Sequence, residues 1–450
     1  MKNNILLETE TAYSLYDSIR QLPVIDYHCH LDPKEIYEDL TFGSIGEIWL
    51  RSDHYKWRLM RACGIDEKYI TGDASWYDKF THFVKALSLS PGNPLYYWSS
   101  AELSSYFGIE LAINENNARL IWDSVAERIA SGLLSPRKIL QISNVKTLCT
   151  TDDICDPLKY HKLLADSGMK PKLLPTFRTD KLFFINTPVY REYIKTLEHI
   201  TGMEICDLAS LKSAISSRLS FFKTAGARFA DIGIEYFPET VFSDDLAESV
   251  FTKALFGKKC TYNEINGFSG NLLAWLNRLY AKENIISQLH VSVKRNANHK
   301  MYDNLGPDIG TDCIADDFKV QSLINLFNAV GDMPKTIVYM LDSAHIPAVV
   351  SACGSFPNVR FGAAWWFCDN RRGIENVLSS ISEISSLGSF LGMLTDSRSF
   401  LSLSRHDFFR RILCNYVAKL VDSGEFPDIE NAQRVCFDVS YNNINNLINM

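Results

Sequence analysis

The sequence predicts an α/β fold in which eight parallel strands form a (β/α)8 barrel of the TIM type. Eight short apolar runs are each bounded by turn or polar residues, and most of the segments between them have helical periodicity. Strands that alternate with helices are typical of a parallel α/β architecture, and eight strands close a barrel. The predicted strands are residues 23–28, 145–151, 172–178, 227–233, 286–292, 335–341, 359–365 and 390–396.

The first predicted strand ends in two histidines, His28 and His30, one residue apart. Successive side chains of a strand alternate between its two faces, so we expect both imidazoles, and Asp26 before them, on one side. Two neutral imidazoles on one face supply two metal ligands. The alternative is a polar strand end that binds nothing.

The last predicted strand is an apolar run that ends at Asp396 and Arg398. Closing a parallel barrel brings its first and last strands together, with their carboxyl ends at one rim. His28, His30 and Asp396 would then form a three-ligand site of nitrogen and oxygen donors with an open position, which suits zinc or a similar divalent ion. Taken alone, Asp396 could equally be a helix cap or a turn residue.

The chain of 450 residues is longer than the ~250 typical of a bare barrel, so further domains or long insertions are required. The clearest helical patterns lie at residues 119–131 and 408–424. The residues in excess of a bare barrel lie after individual predicted strands. This favours insertions into one barrel over separate domains. We predict a barrel of residues 1–30 and 141–450, a helical subdomain of residues 31–140 after the first strand, and further helical insertions at residues 179–226 and 234–285.

The amino-acid composition and net charge limit the kinds of molecule that the protein is expected to bind. The formal net charge of −7 argues against nucleic acid or an anionic membrane surface as the main partner, and an anionic small substrate would need a local cluster of arginines. No long apolar segment or signal-peptide core is visible, so we expect a cytoplasmic protein. The eleven cysteines are scattered without a Cys-x-x-Cys pair, which indicates reduced thiols. The oligomeric state stays open, with a homo-oligomer among the options.

Polar residues follow the other predicted strands as well, and one rim of a barrel is where such enzymes hold their chemistry. Simpler explanations exist for several of them: Asp152 or Asp153 as a helix cap, Arg178 as a surface arginine, and His345 as a loop residue. Nucleotide-binding, zincin and serine-hydrolase signatures are absent from the sequence. The residues at these strand ends are Asp152, Asp153, Arg178, Asp180, Asp231, His290, Asp342, His345, Trp365, Asp396 and Arg398.

A set of collinear motifs runs along nearly the whole chain. They are His28-Cys-His30-Leu-Asp32-Pro-Lys34, His54-Tyr55-Lys-Trp57-Arg58, Cys149-Thr-Thr-Asp152-Asp153, Pro175-Thr-Phe-Arg178-Thr-Asp180, Gln288-Leu-His290, Leu305-Gly-Pro-Asp308, Ala364-Trp365-Trp366-Phe367, Gly392-Met-Leu-Thr-Asp396-Ser-Arg398 and Arg405-His406-Asp-Phe-Phe-Arg410-Arg411. In this order they resemble the motifs of the uronate isomerases, a branch of the amidohydrolase superfamily.

The resemblance implies a distorted eight-stranded barrel with extra helices. It also implies the interconversion of D-glucuronate with D-fructuronate, and of D-galacturonate with D-tagaturonate, in hexuronate catabolism. By motif matching, the metal-ligand positions fall to His28, His30 and Asp396. The positions around the sugar fall to His54, Tyr55, Arg178, Asp231, His290, Trp365 and Arg398.

The chain departs from the family pattern at two positions. Ile232 follows the acid Asp231 where similar proteins usually have histidine, and Cys368 stands where asparagine is common. These departures leave substrate range and rate open. They also leave room for a metal-dependent hydrolase of the same superfamily, or for a sugar-acid-binding protein without turnover.

The chemistry that this reaction needs can be stated for the side chains themselves. Aldose–ketose isomerisation moves a proton from C2 to C1 through a cis-enediol, which requires a base at that edge and positive charge near the developing oxyanion. Tyr55 or Asp396 could shuttle the proton. We favour Tyr55 as the C2 base, with nearby cations lowering its pKa from ~10 and Arg398 stabilising the enediolate.

The substrate's C6 carboxylate needs a partner that can make two parallel hydrogen bonds. A planar guanidinium supplies such a pair better than an ammonium does, and Arg178 is our candidate. Because no bond is hydrolysed, the metal would polarise or position a sugar oxygen instead of activating a water.

Overall fold

The computed structural model describes residues 5–132, 134–235 and 237–449, which fold as a distorted (β/α)8 barrel with many additional helices. Its strands are β1 (Val24–Cys29), β2 (Val145–Asp153), β3 (Lys172–Arg178), β4 (Phe229–Ile232), β5 (Ile286–Val291), β6 (Val293–Lys294), β7 (Cys313–Ile314), β8 (Thr336–Met340) and β9 (Val359–Phe361).

Seven of these strands form one parallel sheet in the order β1-β2-β3-β4-β5-β8-β9. They coincide with seven of the eight predicted runs, so the parallel α/β architecture is confirmed. The short antiparallel pair β6–β7 was not predicted from the sequence.

The eighth prediction, a strand at residues 390–396, is wrong in detail. Within the described part of the chain this segment belongs to no strand, although it lies beside β1 as expected. Gly392 and Asp396 both adopt the left-handed region, with φ of 74° and 47°, and such residues interrupt an extended conformation. The segment therefore contacts β1 through isolated bonds: Asp396 N–H donates to the carbonyl of His28 (3.0 Å), and His30 N–H donates to that of Ser397 (2.9 Å).

Side chains complete this closing seam, which we define as the contact between residues 24–30 and 390–397. Both oxygens of the buried Asp26 carboxylate accept hydrogen bonds from Thr395, one from its backbone N–H (2.8 Å) and one from its hydroxyl (2.5 Å). Arg405 donates to the Thr395 carbonyl (2.6 Å), and Arg410 donates to the carbonyl of Pro23 (3.0 Å). Two arginines of one helix thus bind the last segment and the first strand.

The remaining chain is mainly helical, and the three predicted insertions contain helices. Whether residues 31–140 form a separate subdomain stays a prediction. The helices are α1 (Glu10–Ile19), α2 (Pro33–Glu38), α3 (Ile45–Leu50), α4 (His54–Ala62), α5 (Trp76–Ser88), α6 (Pro94–Phe107), α7 (Ala118–Ala130), α8 (Pro136–Ile142), α9 (Lys159–Asp166), α10 (Tyr190–Thr201), α11 (Leu208–Thr224), α12 (Asp244–Leu255), α13 (Tyr262–Glu283), α14 (His299–Leu305), α15 (Val320–Val330), α16 (Ile346–Gly354), α17 (Arg371–Ile384), α18 (Arg405–Asp422), α19 (Ile429–Phe437) and α20 (Asn443–Asn449).

Helix α4 follows β1 in the first insertion and begins at a well-defined cap. The carboxylate of Asp53 accepts hydrogen bonds from the backbone N–H groups of Tyr55 (3.0 Å) and Lys56 (3.2 Å). Such a cap satisfies N–H groups that have no partner inside the helix. It fixes the first turn, which carries His54 and Tyr55.

The barrel interior holds its own apolar cluster, separate from the larger core between the sheet and the outer helices. In the described residues, no helix combines the length and the apolar character needed to cross a bilayer. The interior cluster includes Ile25, Tyr27, Cys149, Phe229, Ile286, Ile337, Tyr339, Leu341, Trp365, Leu391 and Leu394.

The hydrogen bond from the Thr395 hydroxyl to Asp26 predicts a measurable effect on stability. Thr395→Val keeps the shape of the residue but removes the hydrogen bond to Asp26, which leaves a buried carboxylate oxygen without that donor. We expect the free energy of unfolding to fall by about 1–3 kcal/mol in urea denaturation.

The matched control is Thr196→Val, which removes an exposed hydroxyl bonded to a helix carbonyl. It should change the free energy by less than about 0.5 kcal/mol. Equal values for the two variants would contradict the role given to Thr395.

Candidate active site

Three of the predicted ligands converge at one end of the barrel. The Nε2 atoms of His28 and His30 lie 3.2 Å and 3.1 Å from the same oxygen of Asp396, Oδ1. All three donor atoms lie within 4.8 Å of one another, and His28 is buried. Two imidazole nitrogens and a carboxylate oxygen are a donor set that fits a divalent transition metal. The residues from opposite ends of the chain therefore form a group that could hold a metal ion.

Two further side chains fix the orientation of these ligands. The hydroxyl of Thr151, at the end of β2, lies 2.5 Å from Nδ1 of His30 and 3.3 Å from the carbonyl of Cys29, to which it donates. The hydroxyl oxygen can then accept from Nδ1–H of His30, which leaves Nε2 as the metal-facing atom. On the other side, the indole N–H of Trp365 donates to Oδ2 of Asp396 (2.7 Å).

A second group of possible ligands shares His28 and adds Asp231 and His290. Here the carboxylate is already engaged: Asp231 lies 2.9 Å from Nδ1 of His290 and accepts from Arg178 (2.8 Å). The guanidinium of Arg178 already supplies to Asp231 the positive charge that a metal ion bound there would bring. The group with Asp396 therefore fits a metal better.

Arg178 is held by two carboxylates, those of Asp231 and Asp180. Asp180 is fixed in turn by the backbone N–H of Gly233, which donates to it at 2.6 Å. The absence of a side chain at Gly233 leaves space next to two guanidiniums. A Cβ placed there would lie 3.1 Å from Nη2 of Arg295 and 3.6 Å from Nη2 of Arg178. Two guanidinium groups therefore line the space beside Gly233.

The pKa values set the charges around the metal ligands. Burial would raise the pKa of Asp396, but hydrogen bonding to the two imidazoles holds it well below its usual range. Burial lowers the pKa of His30 to about 4. For His28 burial also acts downward, yet the nearby carboxylates of Asp231 and Asp396 raise its pKa above the usual value. Asp396 is therefore ionised and His30 neutral near pH 7, as metal ligands must be.

Helix α4 brings His54 and Tyr55 to the same region. The two rings lie 4.9 Å apart, and each also contacts the ring of Trp366, at 4.9 Å and 5.5 Å. The expectation that cations lower the pKa of Tyr55 is wrong: burial and the charge of Asp396 raise it well above 10, and the guanidinium of Arg405 opposes them only in part. Tyr55 therefore carries its proton at neutral pH.

Arg398 lies at the outer side of this group. Its Nη1 is 3.5 Å from Nδ1 of His54, and its Nη2 donates to the carboxylate of Asp308 at 2.9 Å. Burial, together with the charge of Arg398, lowers the pKa of His54. A neutral His54 is thus placed beside a fixed positive charge.

Not every polar residue at a strand end belongs to the candidate active site. Asp152 accepts from Thr150 (2.8 Å) and from the backbone of Thr176 (3.3 Å), and burial raises its pKa to about 7. Asp342 caps a short helical turn and contacts His345 at 2.6 Å. Asp152 is therefore not the helix cap that the sequence suggested, since its partners lie on β2 and β3. His345 lies in a short turn, as its explanation as a loop residue required.

The sequence assigned no role to four residues of this region: Thr151, Arg295, Asp308 and Trp366. Thr151, Asp308 and Trp366 lay inside motifs that were quoted, and Arg295 lies just beyond the fifth predicted strand. The positions of Arg295 and Asp308 depend on how the chain between β5 and β8 folds over the barrel, which the sequence pattern does not show.

Comparisons with known proteins identify the family to which the chain is similar. A family model described as glucuronate isomerase matches residues 1–448. A uronate isomerase from Caldanaerobacter subterraneus subsp. tengcongensis is 43% identical over 98% of each chain, and one from Clostridium acetobutylicum is 40% identical over 100% of this chain and 99% of the other. The crystal structure of a uronate isomerase from Thermotoga maritima is similar with a TM-score of 0.96 and 31% identity, covering 100% of this chain and 99% of that one.

The contact between Thr151 and His30 predicts an effect on metal affinity. Thr151→Val keeps the shape of the side chain but removes the partner of Nδ1, so the imidazole loses its preferred tautomer and orientation. We expect the affinity of the metal-stripped protein for Zn²⁺, measured by chelator competition, to fall about 10- to 100-fold.

Thr151→Ser retains a hydroxyl and should keep an affinity near that of the parent protein. His30→Ala should lose more affinity than Thr151→Val, because it removes the ligand itself. An unchanged affinity in the valine variant would show that Thr151 does not orient His30.

Proposed function

This chain belongs to the glucuronate isomerase family, and from that membership we propose how its barrel mouth interconverts an aldose uronate and the corresponding ketose. The substrates are D-glucuronate, which is converted to D-fructuronate, and D-galacturonate, which is converted to D-tagaturonate. One observation carries the proposal: a metal-binding group of His28, His30 and Asp396 lies in the same barrel mouth as fixed arginines that suit an anionic sugar.

The metal is proposed to be zinc, held by His28, His30 and Asp396. When bound, it supplies a Lewis acid that polarises or positions an oxygen of the open-chain sugar. A cytoplasmic location remains a prediction of the sequence, and the oligomeric state stays open.

Arg178 is proposed to bind the C6 carboxylate of the substrate. Its Nε and Nη1 atoms face Asp180 and Asp231, which fixes the plane of the guanidinium. The Nη2 atom faces the space beside Gly233, where Arg295 also contributes a guanidinium. Two guanidiniums around such a space are suited to a carboxylate, because charge-assisted hydrogen bonds are stronger than neutral ones.

Asp396 and Tyr55 are proposed to move the proton, with roles set by their charge states. The base takes the proton from C2, the carbonyl oxygen at C1 gains one, and the cis-enediol results; the reverse sequence at the other carbon yields the ketose. Asp396 is ionised and can accept, whereas Tyr55 is protonated and can donate. We therefore assign the abstraction to Asp396 and the donation to Tyr55, which exchanges the role first expected of the tyrosine.

The remaining site residues are proposed to hold the sugar and stabilise charge. Arg398 stabilises the negative oxygen of the enediolate, where a preorganised cation is most effective. Neutral His54 and His290 can hydrogen-bond to hydroxyl groups without adding charge. Trp365 and Asp231 complete the wall through their bonds to Asp396 and Arg178.

The reaction itself predicts a clear isotopic result. When the purified, zinc-loaded protein is incubated with D-glucuronate in D2O, ketose should form, and deuterium should enter C2 of the recovered aldose because the enediol is reprotonated from exchangeable groups. Both signals are read by NMR.

Asp396→Asn serves as the negative control, since it removes the proposed base, which is also a proposed metal ligand, while keeping the shape of the side chain. Absence of both signals with D-glucuronate and with D-galacturonate would remove the isomerase activity and favour a hydrolase or a binding protein.

The role of Arg398 predicts a loss of turnover without a loss of fold. Arg398→Lys keeps the charge but loses the planar fork, so we expect kcat to fall about 10²- to 10³-fold with the melting temperature unchanged. Arg360→Lys, an exposed arginine on β9, should retain full activity. Full turnover by Arg398→Lys would show that this guanidinium does not stabilise the transition state.

A further inference from the structure

A short segment outside the proposed machinery crosses the barrel mouth. Residues 306–312, which we call the mouth segment, connect α14 to β7 and pack against helix α4. This helix carries His54 and Tyr55 in its first turn. The segment is therefore in a position to influence groups that face the substrate.

One side of the mouth segment is bound to α4 through backbone carbonyls. Nη1 of Arg58 donates to the carbonyls of Gly310 (3.1 Å) and Asp312 (2.7 Å), and Arg61 donates to that of Ile309. Gly310 has a φ of 87°, and a Cβ there would lie 2.6 Å from the carbonyl oxygen of His54. The backbone thus approaches α4 more closely than any residue with a side chain would allow.

The other side of the segment is fixed by Asp312, which is buried. Its carboxylate accepts from Nη1 of Arg295 and from the backbone N–H of Asn296, each at 2.8 Å. Residues 309–312 of the mouth segment are therefore held from two sides, by arginines of α4 and by the chain that follows β6.

Asp308 lies directly before these fixed residues and contacts Arg398. It adopts the left-handed region with a φ of 60°, and its Oδ2 accepts from Nη2 of Arg398 at 2.9 Å. The neighbouring Nη1 atom of Arg398 lies 3.5 Å from His54. The guanidinium is thus held between a residue of the mouth segment and a residue of α4.

The exposure of this ion pair argues against a purely structural purpose. The side chain of Asp308 is 57% exposed and that of Arg398 is 30% exposed. Exposed ion pairs contribute little to stability, because water screens them and two flexible side chains must be ordered. A fixed backbone that presents a carboxylate to one guanidinium does, however, define the direction of that guanidinium.

We propose that Asp308 is a positioning residue for the isomerisation: it orients Arg398 so that the guanidinium meets the negative oxygen of the enediolate. The inference rests on the proposed role of Arg398. Asp308 acts through the arginine and does not itself contact the reacting atoms. A misaligned guanidinium still attracts the anionic substrate, so the effect falls mainly on kcat and less on KM.

The test compares Asp308→Asn with the parent protein loaded with zinc. Asparagine tolerates the left-handed region, so the backbone of the mouth segment should be retained while the charge is removed. We expect kcat for D-glucuronate to fall about tenfold or more, with KM changed less than about threefold. The melting temperature and the zinc content should stay unchanged.

The matched control is Asp303→Asn on α14, which removes the same charge from an exposed acid five residues away. It should leave kcat at the parent value. Loss of kcat in both variants to the same extent would mean a general electrostatic effect and would overturn the positioning role.

A double-mutant cycle separates this inference from the proposed function. In the Arg398→Lys background, Asp308→Asn should lower kcat by less than about twofold, because the group that Asp308 orients is already lost. Equal losses in the two backgrounds, or an increase of kcat in Asp308→Asn, would overturn the inference while leaving Arg398 in place. Full activity of Arg398→Lys would overturn both.

Discussion

The contact between Asp26 and Thr395 is the constraint on which the active site depends. It joins residues 369 positions apart and brings the last barrel segment alongside the first strand. An ordinary ladder is absent there within the described residues, because Gly392 and Asp396 turn the backbone into the left-handed region. The same turn at Asp396 carries the carboxylate that meets His28 and His30. The positive φ at Asp396, which prevents a regular eighth strand, thus also places the carboxylate beside His28 and His30.

Three guanidinium groups of the barrel mouth are each held by at least one carboxylate from a neighbouring element. Arg178 is held by Asp231 and Asp180, Arg295 by Asp312, and Arg398 by Asp308. Such pairing limits the cost of keeping cations partly buried and keeps each one in a single orientation. A site of this kind binds an anion with little reorganisation, because its donors are already in place.

Much of the fold could be predicted from the sequence, because apolar runs bounded by turn residues indicate buried parallel strands. The pairing of His28 and His30 was equally readable, since a period of two places them together. The conformation at Asp396 was not, because a positive φ at a residue other than glycine depends on tertiary contacts. The pKa of Tyr55 was misjudged for a related reason: neighbours in sequence suggested cations, whereas burial among rings decides the shift.

The separation of the metal ligands along the chain has a consequence for biosynthesis. His28 and His30 leave the ribosome long before Asp396, and the arginines of α18 that fasten the closing seam follow later still. Contacts between residues so distant in sequence form slowly and late in folding. A nascent chain therefore carries the two imidazoles without their carboxylate for most of its synthesis, and the three-residue group can be complete only near the end of synthesis.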